Sequence, residues 1–161
     1  MSRLAFLQRF DNFEITPEHI NTIVNSASEE DVVDLSRPDN HHLLNRDYIV
    51  KLLRAKHNYN KGMLLSHPHI TEEDQLKHIA WAHPLDFKSQ RVHDAQLARI
   101  KLQVQHPIDR FQAAPKLYSI LNNSKFVTED NIREFAKTNR NALRGNAFLD
   151  EHKRKLIDEL T

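Results

Sequence analysis

The chain of 161 residues contains no cysteine and only two glycines, Gly62 and Gly145. The lack of cysteine excludes a disulfide framework, so we expect a cytoplasmic protein. Turns of β-rich folds draw heavily on glycine, so its scarcity favours helices. No apolar run approaches the roughly 20 residues that span a bilayer, and the amino-terminal apolar stretch is too short for a secretion signal. We therefore expect no membrane association.

Charge is nearly balanced overall, at +1, but it is unevenly distributed along the chain. Between residues 11 and 39, eight acidic residues stand against one arginine. Between residues 88 and 144, eleven lysines and arginines stand against five acids. In a stack of helical repeats, order along the chain becomes order in space. Such a stack would have one acidic end and a basic remainder.

A helix-start signal recurs four times as an apolar residue, a capping residue, and then proline or an acid. Apolar residues at helical spacing follow each copy. Further capping residues are expected at Ser2, Ser28 and Asn45. The pattern predicts an all-α protein, an irregular stack of short antiparallel helix pairs in one compact domain over residues 1–161. The four recurring caps are Thr16, Thr71, Thr128 and Asp150.

Prolines and apolar spacing also set the expected bounds of individual helices. Residues 87–105 give the longest helical pattern. Pro115 is expected to open the next helix, because the first helical position tolerates its missing N–H. The helix that Thr71 caps is expected to reach Trp81, and a short helix is expected to begin at Asn58.

The apolar periodicity predicts which side chains form the core. On the longest helix, Val92, Ala95, Ala98 and Leu102 share one face, and Leu97, Ile100 and Val104 adjoin it, which makes a wide apolar stripe. The predicted core positions are Leu4, Leu7, Ile20, Ile23, Ile49, Leu52, Leu53, Leu64, Leu76, Ile79, Ala98, Leu102, Leu117, Ile120, Leu121, Ile132, Phe135, Leu156 and Ile157.

Two segments resemble a known repeat family. The segment from Leu65 to Glu73 reads Leu-Ser-His-Pro-His-Ile-Thr-Glu-Glu, and that from Ile15 to Ile20 reads Ile-Thr-Pro-Glu-His-Ile. Both are similar to short HEAT-like α-helical repeats of bacterial and tailed-phage proteins. The resemblance covers about half of the chain and implies an α-solenoid-like scaffold with a binding role. It implies no catalytic residue and no cofactor.

Histidine is unusually frequent, with eleven residues. The pair His67-x-His69, or His41 with its neighbour, is where a metal site would start. Neither cysteine nor a His-Glu-x-x-His motif accompanies them, so no metal site is predicted. His67, His83 and His106 each precede a proline. We expect them at helix ends or on the surface, where an imidazole suits the negative end of the helix dipole.

The sequence predicts no catalytic residue. Ser66 lies beside His67, but both belong to a helix-ending turn without a glycine elbow. The carboxylate pairs, such as Glu72-Glu73, stand at helix starts, where the helix dipole accounts for them. No glycine-rich phosphate loop is present. We therefore expect a protein that is not an enzyme.

Four aromatic residues are expected in the core, with a binding groove as the alternative. They are Trp81, Phe87, Phe111 and Tyr118.

Basic residues supply the candidate binding site. One group lies on the longest helix, and the other is spaced to share a helical face if its helix continues. Such a ridge fits a phosphate backbone or an acidic protein surface. The candidate residues are Lys88, Arg91, Arg99, Lys101, Arg133, Lys137, Arg140 and Arg144.

The leading expectation from the sequence is a non-enzymatic regulatory module that binds a partner protein. The resemblance to phage and bacterial repeats suggests a larger cytosolic host machine as the partner, in transcription or defence. The alternative is a nucleic-acid-binding protein that uses the basic face of residues 88–144. Oligomeric state is left open.

Overall fold

A computed structural model describes residues 1–10, 12–55 and 61–161. Of these, 68% are helical and none lies in a β-strand, which confirms the all-α prediction. The predicted helix start at Asn58, together with Asp11 and His57, lies outside the described residues. The α-solenoid or HEAT-like arrangement stays a prediction.

The described residues form eleven α-helices, joined by turns that include short 3₁₀ helices at Pro38–Leu43, Ile79–Trp81 and Pro84–Asp86. The α-helices, in chain order, are α1 (Arg3–Gln8), α2 (Pro17–Asn25), α3 (Glu29–Ser36), α4 (Arg46–Leu53), α5 (Lys61–Leu64), α6 (Glu72–Lys77), α7 (Gln90–Gln105), α8 (Arg110–Asn123), α9 (Glu129–Phe135), α10 (Arg140–Arg144) and α11 (Glu151–Leu160).

The predicted helix caps are confirmed. Each capping side chain accepts a hydrogen bond from the backbone N–H three residues later, which satisfies a donor that the helix leaves unpaired. At Thr16, Ser28, Thr71 and Thr128 the third residue also reaches back to the N–H of the cap, forming a capping box. The confirmed caps are Ser2, Thr16, Ser28, Asn45, Thr71, Thr128 and Asp150.

Two predicted helix bounds are wrong. The helix capped by Thr71 ends at Lys77, and a separate 3₁₀ turn carries Ile79–Trp81. Helix α8 begins at Arg110, so Pro115 lies inside it. Its ring leaves the Phe111 carbonyl without the hydrogen bond that an N–H at position 115 would donate.

Backbone contacts group the chain into two compact units, unit 1 (Met1–Asp74) and unit 2 (Gln75–Thr161). The single domain over residues 1–161 stays a prediction. Unit 1 holds twelve acidic and eight basic residues, and unit 2 holds ten acidic and fifteen basic residues, so the units carry net charges of −4 and +5.

Unit 1 is held by an apolar core and by two similar ion pairs. Arg3, at the first position of α1, meets Asp31 at 2.9 Å, and Arg46, at the first position of α4, meets Asp74 at 2.6 Å. Both pairs join residues 28 positions apart. We call these two pairs the Arg–Asp braces. The core residues of unit 1 include Leu4, Ile20, Ile23, Val32, Leu35, Ile49, Leu52, Leu53, Leu64 and Leu65.

Each acid of the Arg–Asp braces is also the third residue of a capping box. Burial acts to raise the pKa of Asp31, but hydrogen bonds from Arg3 and Ser28 outweigh it and hold that pKa below its usual value. The pKa of Asp74 is likewise lowered, because bonds from Thr71 and Arg46 outweigh its burial. The braces therefore tie α1 to α3 and α4 to α6 through ionised carboxylates.

In unit 2, α7 buries only part of the predicted apolar stripe. Ala98 is exposed and Leu102 is 71% exposed, so both core predictions are wrong. The buried face includes His93 and Gln96, whose polarity the apolar pattern disregards. The Gln96 amide donates to the carbonyls of Ile79 and Ala82, each at 2.7 Å, which makes its burial tolerable.

The other predicted core positions divide into two groups. Thirteen of the predicted side chains are buried, including Leu52 and Ile132. Four are only half-buried, which are Leu7, Leu76, Ile79 and Leu156.

Candidate functional site

Three phenylalanine side chains form a continuous exposed surface in unit 1. Phe6 lies on α1 and Phe10 lies two residues beyond its end, with their ring centroids 5.5 Å apart in an edge-to-face arrangement. Phe13 continues the row, 6.4 Å from Phe10. Phe6 and Phe10 are each 53% exposed and Phe13 is 41% exposed. We call Phe6, Phe10 and Phe13 the aromatic ridge.

The fold fixes the aromatic ridge in place from the opposite side of α1. Leu4 is fully buried, and the side chain of Arg3 reaches Asp31 and the carbonyl of Ser26. The Ser2 hydroxyl donates to Asp34. These contacts hold α1 against α3, so the Phe6 and Phe10 rings lie on the face directed away from the core.

The charges next to the aromatic ridge are mainly acidic. Glu14 and Glu18 are exposed beyond Phe13, and Arg9 is the one exposed basic residue within the described part of residues 4–19. The Phe13 ring also lies 5.1 Å from the His19 ring. The ridge is thus an apolar strip on a unit of net negative charge.

The basic residues predicted as a binding face do not form one ridge. Helix α9 ends at Phe135 and α10 starts at Arg140, so the helix that was to align Arg133 with Arg144 is interrupted. On α7, Lys88 lies before the first turn, and Arg99 is half-buried while Arg91 is exposed.

Three of the predicted basic residues are engaged by acids. Lys101 meets Glu134 at 2.6 Å. Arg133 lies 3.4 Å from Glu129, and Arg144 lies 2.6 Å from Asp158. These pairs neutralise much of the positive charge expected on residues 88–144.

Two other predicted basic residues, Lys137 and Arg140, come together in a groove. The groove has a volume of about 410 Å³ and is lined by Tyr118 of α8 and by the segment from Lys137 to Ala142. Helix α10 packs against α8, which brings Tyr118 to this segment. Among the described residues, no acid pairs with Lys137 or Arg140. We call this feature the basic groove.

The aromatic residues expected in the core are mostly exposed. Of the four, Phe87 is buried as predicted. Trp81, Phe111 and Tyr118 are exposed, so the core prediction is wrong for them. For Tyr118, the alternative of lining a groove is confirmed.

A buried histidine in unit 2 links three polar side chains. The Asn131 Oδ1 atom already accepts from the Thr128 N–H, so it also accepts from Nε2–H of His93 at 2.9 Å. The opposite nitrogen, Nδ1, therefore accepts the Ser124 hydroxyl proton at 2.6 Å. Burial lowers the pKa of His93, so it is neutral in the folded protein.

Ser124, His93 and Asn131 have the residue types of a nucleophilic triad but not its accessibility. His93 and Ser124 are both fully buried, and the Ser124 oxygen also accepts from the Phe126 N–H. A nucleophile must reach substrate, and this hydroxyl is enclosed by the core. The three side chains therefore join α7, α8 and α9 as a structural network.

His67 lies in the turn that follows α5, in agreement with the helix-end prediction, but its side chain is buried and not on the surface. Its Nε2 donates to the His41 carbonyl at 2.9 Å, and its Nδ1 accepts from the His69 N–H at 3.0 Å. His83 and His106 repeat the second bond, each accepting from the N–H two residues later across the proline. These histidines therefore close His-Pro turns, which the sequence signals by the shared dipeptide.

Neither the metal nor the serine alternative acquires the geometry it needs. Within residues 1–10, 12–55 and 61–161, no three His, Asp or Glu side chains are grouped as ligands for a metal ion. The Ser66 hydroxyl donates to the Met63 carbonyl at 2.6 Å, as expected for a residue that ends a helix.

The chain matches no protein-family model, and no curated protein or solved structure is significantly similar to it. Among the described helices, none has the combination of length and apolar character that crossing a lipid bilayer requires.

Proposed function

We propose that the protein is a non-enzymatic binding module that docks on a partner protein through the aromatic ridge. The observation that carries this proposal is the row of three exposed phenylalanine rings, in which Phe10 neighbours both Phe6 and Phe13. Soluble proteins seldom expose contiguous apolar patches without use, and aromatic side chains are enriched at protein interfaces. The sequence resemblance to HEAT-like repeats supports a binding role in the same way.

The charge around the aromatic ridge favours a partner segment that combines apolar and basic residues. Glu14 and Glu18 flank the apolar strip, and unit 1 carries a net charge of −4. Opposite charge at the rim of an interface speeds association and excludes unsuitable partners, while the apolar centre supplies most of the affinity. A nucleic acid would be repelled by these acids.

Replacing the ridge with serines, in the triple variant Phe6→Ser, Phe10→Ser and Phe13→Ser, should reduce partner capture at least tenfold. Each truncated aromatic anchor at an interface centre typically costs about 1–2 kcal/mol or more. Capture is measured by quantitative mass spectrometry, with the tagged protein incubated at moderate salt in a lysate of the cells that encode it. Circular dichroism checks that the variant keeps its helices.

Phe148→Ser is the matched control, because Phe148 is 52% exposed like Phe6 and Phe10 but belongs to unit 2 and not to the ridge. It should retain the partners of the wild type. Equal capture by the triple variant would contradict the proposal. A wild-type dimer that the triple variant converts to a monomer, seen by analytical ultracentrifugation, would also contradict it, because a second copy would then occupy the ridge.

A further inference from the structure

The basic groove combines two cations with an exposed aromatic ring, and no described contact uses any of the three. Tyr118 is 46% exposed and lines the groove together with the segment that carries Lys137 and Arg140. Both cations are exposed. By contrast, Arg133 and Arg144, their neighbours in the predicted basic series, are held by acids.

The dimensions and lining of the groove suit a small planar anion. Its volume of about 410 Å³ lies in the range of small-molecule sites. Two amide side chains also line the groove and add hydrogen-bonding groups. Asn141 is exposed and Asn139 is half-buried. A ring beside two cations is the combination by which proteins hold unpaired bases and their phosphates.

We propose that the basic groove binds a nucleotide unit, with a base stacked on Tyr118 and phosphate oxygens held by Lys137 and Arg140. The inference goes beyond the protein-binding role and does not depend on it, because the aromatic ridge lies in unit 1. A single-stranded nucleic acid presents this chemistry with its bases exposed, and a free nucleotide presents it singly. A duplex hides its bases in the stack, so it is excluded as the preferred ligand.

Fluorescence anisotropy with a labelled 12-nucleotide oligo-uridine tests this proposal on the full-length protein at 50 mM salt. The wild type should bind, and its affinity should fall about sevenfold or more by 200 mM salt, as two phosphate contacts require. A duplex of the same length should bind at least fivefold more weakly. Absence of binding to oligo-uridine and to uridine monophosphate at 50 mM salt would overturn the proposal.

The double variant Lys137→Gln, Arg140→Gln should weaken binding about tenfold and reduce the magnitude of the salt slope by about 1.4. Tyr118→Leu should weaken binding about fivefold or more and leave the salt slope unchanged, because stacking is not ionic. Tyr118→Phe should restore the affinity. All these side chains are exposed, and circular dichroism confirms that each variant is folded.

The matched control is Arg133→Gln, Arg144→Gln, which makes the same change in net charge outside the groove. It should retain wild-type affinity, and a loss equal to that of the groove variant would overturn the proposal in favour of general charge attraction. Uridine monophosphate at 1 mM identifies the source. Displacement of the oligonucleotide by the monophosphate, but not by inorganic phosphate, assigns the site to free nucleotides, and failure to displace it assigns the site to strands.

Discussion

Replacing Ile100 by alanine should lower the free energy of unfolding by about 2–5 kcal/mol, because truncating a buried aliphatic side chain loses its burial and leaves a cavity. Ile100 is 2% exposed on the inner face of α7. Urea denaturation followed by far-ultraviolet circular dichroism measures the change, since the denaturation midpoint falls with stability.

Leu102→Ala is the matched substitution two residues further along the same helix. Leu102 is 71% exposed, so its truncation should change the free energy of unfolding by less than about 0.5 kcal/mol. A cost for Leu102→Ala as large as that for Ile100→Ala would mean that α7 buries Leu102, as the predicted apolar stripe requires. The pair therefore tests the orientation of the helix.

Lowering the pH below about 6.5 should destabilise the protein, with His93 contributing up to about 1.4 kcal/mol for each pH unit. Burial lowers the pKa of His93 in the folded state. The unfolded chain therefore binds the proton at a higher pH than the folded chain does, and protonation favours unfolding. The stability that neutral His93 contributes is fully present above pH 6.5 and is lost as the pH falls towards the folded-state pKa of His93.

Urea midpoints of the wild type and of His93→Gln, measured between pH 5 and 8, isolate this contribution from the other histidines. The variant should show a shallower decline than the wild type. In this range the two buried acids stay ionised, because hydrogen bonds outweigh burial and hold the pKa values of Asp31 and Asp74 below the usual range of an aspartate. An equally steep decline in both proteins would show that His93 is not the group responsible.

The helix starts could be predicted from the sequence because a cap is a local feature. Thr16 and Thr128 satisfy N–H groups within three residues of themselves, so no distant contact decides whether they cap. The recurring Glu-Glu-Asp triplet at Asp31 and Asp74 was also visible, since Ser28 and Thr71 precede the two copies. The missed signal for the Arg–Asp braces was that each triplet has, earlier in the chain, a matching capping residue followed directly by arginine.

The two polar residues on the buried face of α7 could not be predicted from apolar periodicity. His93 and Gln96 are buried because Asn131, Ser124 and two carbonyls from earlier turns satisfy them. Those partners come from distant parts of the chain, so local sequence gives no sign of them. The prediction counted only apolar residues, so it placed Ala98 in the core, whereas Gln96 is buried and Ala98 is exposed.

The two candidate surfaces differ in how far the sequence reveals them. The segment from Leu4 to Phe13 carries two apolar sets, Leu4 with Leu7 and Phe6 with Phe10 and Phe13, and a short helix buries only one face. The sequence therefore signals that one set stays exposed without saying which. The basic groove requires Tyr118 to meet Lys137 across two helices, and only the packing of α8 against α10 brings them together.

The Arg–Asp braces have a consequence for how unit 1 reaches its fold. Each brace joins residues only 28 positions apart, so the stretch of disordered chain that must be closed to form it is short. The two braces span residues 3–31 and 46–74, which do not overlap. Each pair of braced helices can therefore form before the other.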